Sequence, residues 1–382
     1  MTMNVAFKKN KIDQKFLVAF FILIGFGIVL QYSASSSLGQ ARFDDSTFYV
    51  RGQLIRIVMG LFIGTFFAFC NYQYLKKWAF WIAIAGIISL IATLVYHQFH
   101  PNQATARWFP IGGFNFQPSE FAKLALIIYL SSFLERHQKH LGEFKKGFIP
   151  PTVMIVIMVA LIIVEPNYST GAVFTFFGLL VLFTGGIKLL HFSPFIGVFA
   201  VASVFTILHS PYKLRRVLTF LEPEKDLQGA GYQIHQSIIT LGNGGFFGRG
   251  LGGSIEKNLF LPDPHTDFIF SVVGEEFGFI GAVLLLSLYL YIFLRGINIA
   301  LRAPDIFGNL LGVGLTSCLF IYVIVNVGVT CGLLPVTGLP LPFISYGGSS
   351  MLFNFACVGI ILNISRYAIP KEKTFSLVTF NE

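Results

Sequence analysis

Residues 261–278 read LPDPHTDFIFSVVGEEFG. The stretch passes from a proline-punctuated loop straight into an apolar run. It carries Asp267 at the mouth of that run and the pair Glu275 and Glu276 about two turns further in. Continued to Leu294, the run is long enough to cross a bilayer, which takes about 20 residues. Carboxylates inside a span are costly and usually face a cavity or a partner. This one stretch therefore raises the question of fold and the question of function together.

The rest of the chain has the same character. Of 382 residues 54% are hydrophobic and only 12% charged, and mean hydropathy is +0.72. A soluble domain needs more charge than this to cover its surface. Apolar runs of spanning length recur at residues 16–32, 54–71, 78–96, 119–134, 151–164, 170–184, 189–209, 268–294, 310–332 and 343–364. The expected fold is all-α and polytopic, with about ten transmembrane helices in one integral domain over residues 1–382 and no internal repeat. The runs at 151–164 and 170–184 are short and share Glu165-Pro166-Asn167, so they read either as two spans or as one broken segment. The first run follows FKKNKIDQK without a small-residue cleavage site and reads as a retained span.

Lys8, Lys9, Lys76, Lys77, Arg136, Lys145, Lys146, Lys188, Arg295, Arg302 and Arg366 all fall on one side of such a bundle. By the positive-inside rule that side is the cytoplasm and holds both termini. The net charge of +9 fits this topology, and no nucleic-acid motif accompanies it. The opposite side has the long connections, the largest over residues 210–266. Such a loop is too long to be a passive connector, so function is expected on the outer face.

That loop opens with Lys213, Arg215 and Arg216, which suit either a lipid phosphate or the anchoring of their own helix. Ile234, Ile238 and Leu241 follow at helical spacing and predict a short helix at the membrane interface. The glycines from Gly242 to Gly253 suit tight turns, close backbone approach or, weakly, a phosphate cradle. No Gly-Lys-Ser/Thr follows, and nothing resembles an ATP site. If the next helix starts near Asp267, then Asp267, Ser271, Gly274 and Gly278 line one face. A half-buried Asp there suits a general base; a helix cap or an ion pair would also explain it.

Elsewhere, Arg107 and Trp108 can meet a phosphate and a sugar or lipid ring, although Trp108 also fits an aromatic belt. Pro118-Ser119-Glu120 reads as a helix start. Lys123 then points into the membrane region, where it needs Glu120 or a ligand anion unless it snorkels. Ser345, Tyr346, Ser349 and Ser350 bring hydroxyls to a Pro/Gly-punctuated loop, for a ligand or for capping. Two HxxH pairs, His97/His100 and His137/His140, fall on opposite sides and lack further ligands at zinc spacing. The four cysteines sit in or beside spans and read as buried hydrophobes.

Taken together, YSAS at 32–35, ARW…FQPSEFAKLALIIYL at 106–130, GYQIHQSIITLGNGGFFGRGLGGS at 231–254, LPDPHTDFIFSVVGEEFG at 261–278 and GLLPVTGLPLPFISYGGSS at 332–350 resemble the SEDS family (shape, elongation, division and sporulation), of the FtsW, RodA and SpoVE type. The likeness covers nearly the whole chain. It implies a peptidoglycan glycosyltransferase of the bacterial inner membrane, active on the outer face. Its substrates would be lipid II and an undecaprenyl-pyrophosphate-linked glycan. Its partners would be a class B penicillin-binding protein and other divisome or elongasome membrane proteins. By position, Asp267 matches the family's essential Asp, and Arg107 and Lys123 match basic residues of its cavity. The candidate substrate-binding set is Arg107, Trp108, Glu120, Lys123, Arg215, Arg216, His265, Ser345, Gly347 and Gly348, with Asp267 catalytic. A divalent cation, Mg or Mn, is a further candidate for the leaving pyrophosphate, with no ligand set assigned. The spacing GRGLGGSIEKNLFLPDPHTD is similar to the division type, FtsW, more than to RodA; the sporulation type stays open. Where many relatives read Gln-Pro-Asp, this chain reads Glu165-Pro166-Asn167, which leaves any role of that carboxylate open. The rival readings are a lipid II flippase, for which broken helices near the midplane would speak, and a non-catalytic scaffold that recruits the penicillin-binding protein.

Overall fold

A computed structural model describes residues 11–100, 107–111, 114–197, 199, 208–209, 214, 218–222, 229–257 and 260–369. The helices are α1 (Gln14–Phe43), α2 (Phe48–Phe69), α3 (Gln73–Phe99), α4 (Pro118–Arg136), α5 (Ile149–Val164), α6 (Tyr168–Thr184), α7 (Ala230–Asn243), α8 (Ile269–Leu301), α9 (Ile306–Thr330) and α10 (Ser349–Tyr367). A two-stranded antiparallel ribbon, β1 (Phe109–Ile111) and β2 (Phe114–Phe116), precedes α4, with Phe109 opposite Phe116. Among the described residues seven helices are long and apolar enough to cross a membrane. The chain is a polytopic integral membrane protein of the all-α class. Of the expected span at 189–209, residues 189–197, 199 and 208–209 are described, and the others lie outside the described residues.

Chemistry at the helix ends follows the sequence. Asp13 caps α1 by accepting from Phe16 N at 2.9 Å, and Asp305 caps α9 by accepting from Gly308 N. Pro118 opens α4 at a position where its missing N–H costs nothing. Packing between spans relies on small residues, because lipid gives helices no hydrophobic reason to associate. The clearest seam is α2 on α10. A Cβ on Gly359 would lie 2.2 Å from Gly64 O, and one on Gly60 would lie 2.3 Å from the Phe355 ring. Side chains there would force the backbones apart.

The two ends of the bundle differ. At one end Arg295 pairs with Asp13 at 2.8 Å, and Lys76 with Glu135 at 2.5 Å. There too Arg366 donates to Ala68 O at 3.1 Å and Tyr72 donates to Asp305. Arg295, Lys76 and Arg366, three of the basic residues expected on one side, thus lie at one end, and Asp267 lies at the other.

One expectation needs correction, and two are sharpened. The runs at 16–32 and 54–71 leave 33–53 as the first outer connection, but it is only residues 44–47, because α1 runs on to Phe43, about 45 Å at 1.5 Å per residue. Residues 165–167 join two antiparallel helices and do not break one: Gly171 sits against Ile163 and Gly178 against Ile155. The short helix expected there is α7, and its apolar stripe rests in part on protein, while Ile238 stays half exposed. Ile234 is buried, a Cβ on Gly332 would touch Ile238, and Leu241 meets Gly274.

The broken helix is α8. Gly278 has φ 68° and ψ −168°, so the helical bonding stops and restarts there. The freed groups are taken up by the glycine-rich loop: Phe279 N donates to Gly245 O, and Ile280 N to Phe246 O. The Ser271–Gly274–Gly278 stripe is therefore a docking seam. Ser271 meets Ser237 at 2.6 Å, Gly274 meets Leu241, and Gly278 meets Gly248.

Candidate active site

Asp267 lies just before α8, in a segment fixed by its backbone. Its carbonyl accepts from Asn326 Nδ2 of α9 at 2.8 Å, and the same amide reaches Leu339 O at 2.9 Å. One Asn thus ties the 261–268 segment to the 338–348 segment. Ser345 adds a second tie. Its hydroxyl donates to Thr266 O and accepts from Leu341 N, while its carbonyl accepts from Gln53 of α2. Tyr346 N donates to His265 O at 2.9 Å.

Within that frame the Asp267 carboxylate is partly exposed and close to Gly338, whose Cβ would sit 3.5 Å from Oδ2. Residue Phe268, not Asp267, occupies the cap position of α8, and no side chain bonds there. Among the described residues no cation pairs with Asp267. Among the described residues neither the cap nor the ion-pair explanation holds. Burial, helped by Asp263, pushes its carboxyl up to about 6.

His265 is buried beside the rings of Tyr49 and Tyr346, with centroids at 4.5 and 5.7 Å. Burial holds it down to about 4, so it is neutral at pH 7, and its Nδ1 has no hydrogen-bond partner. Arg56 stacks on the other use of the same tyrosine, 4.1 Å from the Tyr346 centroid. Sequence reasoning passed over Arg56, although an Arg inside an apolar span is itself a signal.

The Glu120–Lys123 pair lies deeper. Nζ is 2.6 Å from Glu120 Oε2 and 4.3 Å from the Tyr322 centroid, with both charges buried. Tyr322 is one turn from Asn326 on α9, so the pair sits about 6 Å below the level of the Asp267 backbone. Ser349 accepts from Gln117 N at 2.7 Å and donates to Asn115 O at 3.1 Å, which fastens the start of α4 to the start of α10. Gly347 and Gly348 form the half-exposed entry to that helix. Asp267, His265, Ser345, Gly347, Gly348, Glu120 and Lys123 thus belong to one connected assembly.

Arg107 is held elsewhere, donating to Pro166 O at 2.7 Å at the α5–α6 turn. Its charge pulls against the burial that pushes Glu165 up to about 8. Trp108, beside it, is half-buried. Arg215 and Arg216 lie outside the described residues. The Glu275–Glu276 pair has a different duty from Asp267. Glu275 accepts from Ser254 and from Ile255 N, and Glu276 accepts from Ser33 and Lys257, both at 2.6 Å. Lys257 and Ser33 were not foreseen as a pair, since 224 residues separate them. Among the described residues no group of three His, Cys, Asp or Glu side chains is arranged around a metal position.

A family model described as cell cycle protein, of the FtsW, RodA and SpoVE type, matches residues 14–369. The chain belongs to this family. It is 37% identical over 362 residues to stage V sporulation protein E of Bacillus subtilis, covering 94% of this chain and 99% of that one. It is 38% identical over 355 residues to the probable peptidoglycan glycosyltransferase FtsW of Geobacter sp. strain M18, covering 92% and 96%. Among solved structures, a chain from a peptidoglycan synthase complex that coordinates polymerization and crosslinking overlays with TM-score 0.77 at 28% identity, over 93% of this chain and 98% of that one. The rod shape determining protein RodA of Thermus thermophilus overlays with TM-score 0.67 at 25% identity, over 94% and 98%.

Proposed function

We propose that this chain is a peptidoglycan glycosyltransferase that polymerises lipid II into β-1,4 glycan strands. It would act at the outer face of the bacterial inner membrane as a single integral domain with both termini in the cytoplasm. Relatives named as such enzymes at this level of identity support the reaction class. The observation that carries the mechanism is Asp267: partly buried, unpaired among described residues, raised to about 6, and fixed through its own backbone. A carboxylate poised near neutrality suits general-base catalysis.

In the reaction Asp267 takes the proton of the acceptor's GlcNAc 4-hydroxyl. That oxygen forms a bond to the anomeric carbon of the donor MurNAc as the bond to the pyrophosphate oxygen breaks. The linkage inverts from α to β, and the electron pair leaves with undecaprenyl pyrophosphate. Lys123 is a cation within the assembly, but Glu120 neutralises it in this state. Arg56 is the better-placed addition to Arg107, Arg215 and Arg216 for the leaving charge. The described residues form no protein cage for a metal, so a Mg2+ would have to be held mainly by the pyrophosphate oxygens of the substrate and by water. Such an ion would supply further charge stabilisation of the leaving group. A class B penicillin-binding protein is the expected partner, in line with the likeness to a synthase-complex chain. Division is the preferred context. The break in α8 does not favour flipping, because the glycine-rich loop already occupies its freed backbone groups.

The test is to supply lipid II to the chain with its partner, whose transpeptidase is blocked, and to separate the products by size. Polymer from the native chain and none from a folded Asp267→Asn complex supports this reading. Equal polymer from both removes Asp267 from catalysis, and no polymer from either turns the reading to flipping or scaffolding.

A further inference from the structure

The glycine-rich loop and the Glu275–Glu276 pair take no part in the chemistry above. What they build is a rigid, exposed, apolar tip. The loop is bonded to α8 on both sides of the kink: Arg249 N to Glu275 O and Gly250 N to Glu276 O, both 2.9 Å, then Phe279 N to Gly245 O at 2.9 Å and Ile280 N to Phe246 O at 3.2 Å. Contact makes the glycines obligatory. A Cβ on Gly244 would lie 1.9 Å from Gly274 O, and one on Gly248, where φ is 79°, 2.2 Å from Glu276 O. Behind the tip Glu275 holds Ser254, and Glu276 holds Lys257.

So fixed, the loop presents Phe246 and Phe247 at 70% and 84% exposure. Phe246 sets its ring against Phe279, centroids 5.8 Å apart at 70°. Phe279 is itself exposed and heads an exposed apolar surface that continues down α8 through Ile280, Val283 and Leu284. From Phe279 to its end α8 is about 34 Å long at 1.5 Å per residue, close to the ~30 Å thickness of a hydrocarbon core. A core of that thickness has its upper edge at Phe279, and the tip is continuous with the exposed apolar surface of α8.

We propose that Phe246 and Phe247 dip into the bilayer at the acyl–headgroup boundary and fix the height of the 244–257 loop over the lipid surface at the Asp267 end. Aromatic side chains are favoured at that depth. A polar tip on the same rigid loop would have no reason to be held flush with a span. The inference rests on the chain crossing a bilayer and not on the transferase reading, so loss of polymerase activity leaves it standing.

The experiment is depth measurement in lipid nanodiscs. Cys70, Cys318, Cys331 and Cys357 are replaced by Ala, and a nitroxide is attached to Phe247→Cys. References are Leu284→Cys on the span and Gln40→Cys near the end of α1. The expected result is oxygen accessibility several-fold above that of a water-soluble nickel chelate, as at position 284. Chelate accessibility matching position 40 overturns the proposal, and so does poor accessibility to both reagents, which would mean a protein covers the tip. In the chain with its native cysteines, a benzophenone analogue of phenylalanine at position 247 should cross-link to radiolabelled phospholipid. Adducts to protein alone would also overturn it.

Discussion

Asp267 combines two properties that pull against each other. Its folded-state pKa is raised from 3.8 to about 6, so the folded chain binds the protonated form more tightly. Its stabilising contribution is full below about pH 4 and is lost as pH rises through 6. At pH 7 the ionised carboxylate is a net cost, on the order of 1–3 kcal/mol. Asp267→Asn should therefore be more stable than the native chain at pH 7 by that order, with the gap closing towards pH 4; denaturant unfolding in detergent measures it. The same variant should lose about 100-fold or more in polymerisation. In the native enzyme the rate should rise with pH through about 6 and then level. His265 is held down to about 4 and is already neutral there, so His265→Gln should leave that limb in place, which a pH–rate profile checks. At this scale the sequence was informative where residue type and setting agreed. An Asp at the mouth of an apolar run is conspicuous. Arg56 was as conspicuous by type, and only its stacking on Tyr346 assigns it to the site. Ser345 was legible as a loop hydroxyl, but its bonds to Thr266 and Leu341 spend it on holding two segments together.

On the scale of single elements, α8 explains why a greasy chain keeps two adjacent glutamates. They bind the far side of a loop whose near side fills a break in the helix. GEEFGFIGAV reads as uninterrupted helix; the break at Gly278 exists because residues 244–250 supply its missing partners, a tertiary fact that local pattern does not encode. The α5–α6 turn shows the converse, since Glu165-Pro166-Asn167 invited a broken span and the contacts of Gly171 and Gly178 show a hairpin. The Lys257–Glu276 pair is almost wholly buried, at 5% and 0% side-chain exposure. Removing one partner of such a pair strands the other charge and costs about 3–5 kcal/mol. Lys257→Met should lose that much in unfolding measurements. Lys257→Met with Glu276→Gln should recover part of it, since the stranded carboxylate is gone. Additive losses in that cycle would show that the two side chains do not act on each other.

Across the whole molecule, hydropathy and the placement of Lys and Arg made the bundle and its two ends readable, because both follow from the solvent. What they do not encode is which helices touch. The α2–α10 seam is decided by Gly60, Gly64 and Gly359, which look like any other glycines in a span until their contacts are known. That seam also reaches the site. Tyr49, Gln53 and Arg56 ride on α2, and Gln53 holds Ser345 O at 3.2 Å. A side chain at position 359 must push Gly64 O away from 2.2 Å and so tilt α2 off α10. Gly359→Leu should lose about 1–3 kcal/mol to overpacking. It should also lower polymerisation in proportion to the loss of the Gln53–Ser345 contact, although Gly359, on α10, packs near the other end of α2 from the carboxylate. Gly359→Ala should fall between it and the native chain. Phe62→Leu, on the same helix where the ring is 73% exposed, should change neither quantity. If Gly359→Leu lowered stability and left the rate per folded molecule unchanged, α2 would be a support for the bundle alone, and Arg56 would have to act from a position that the seam does not set.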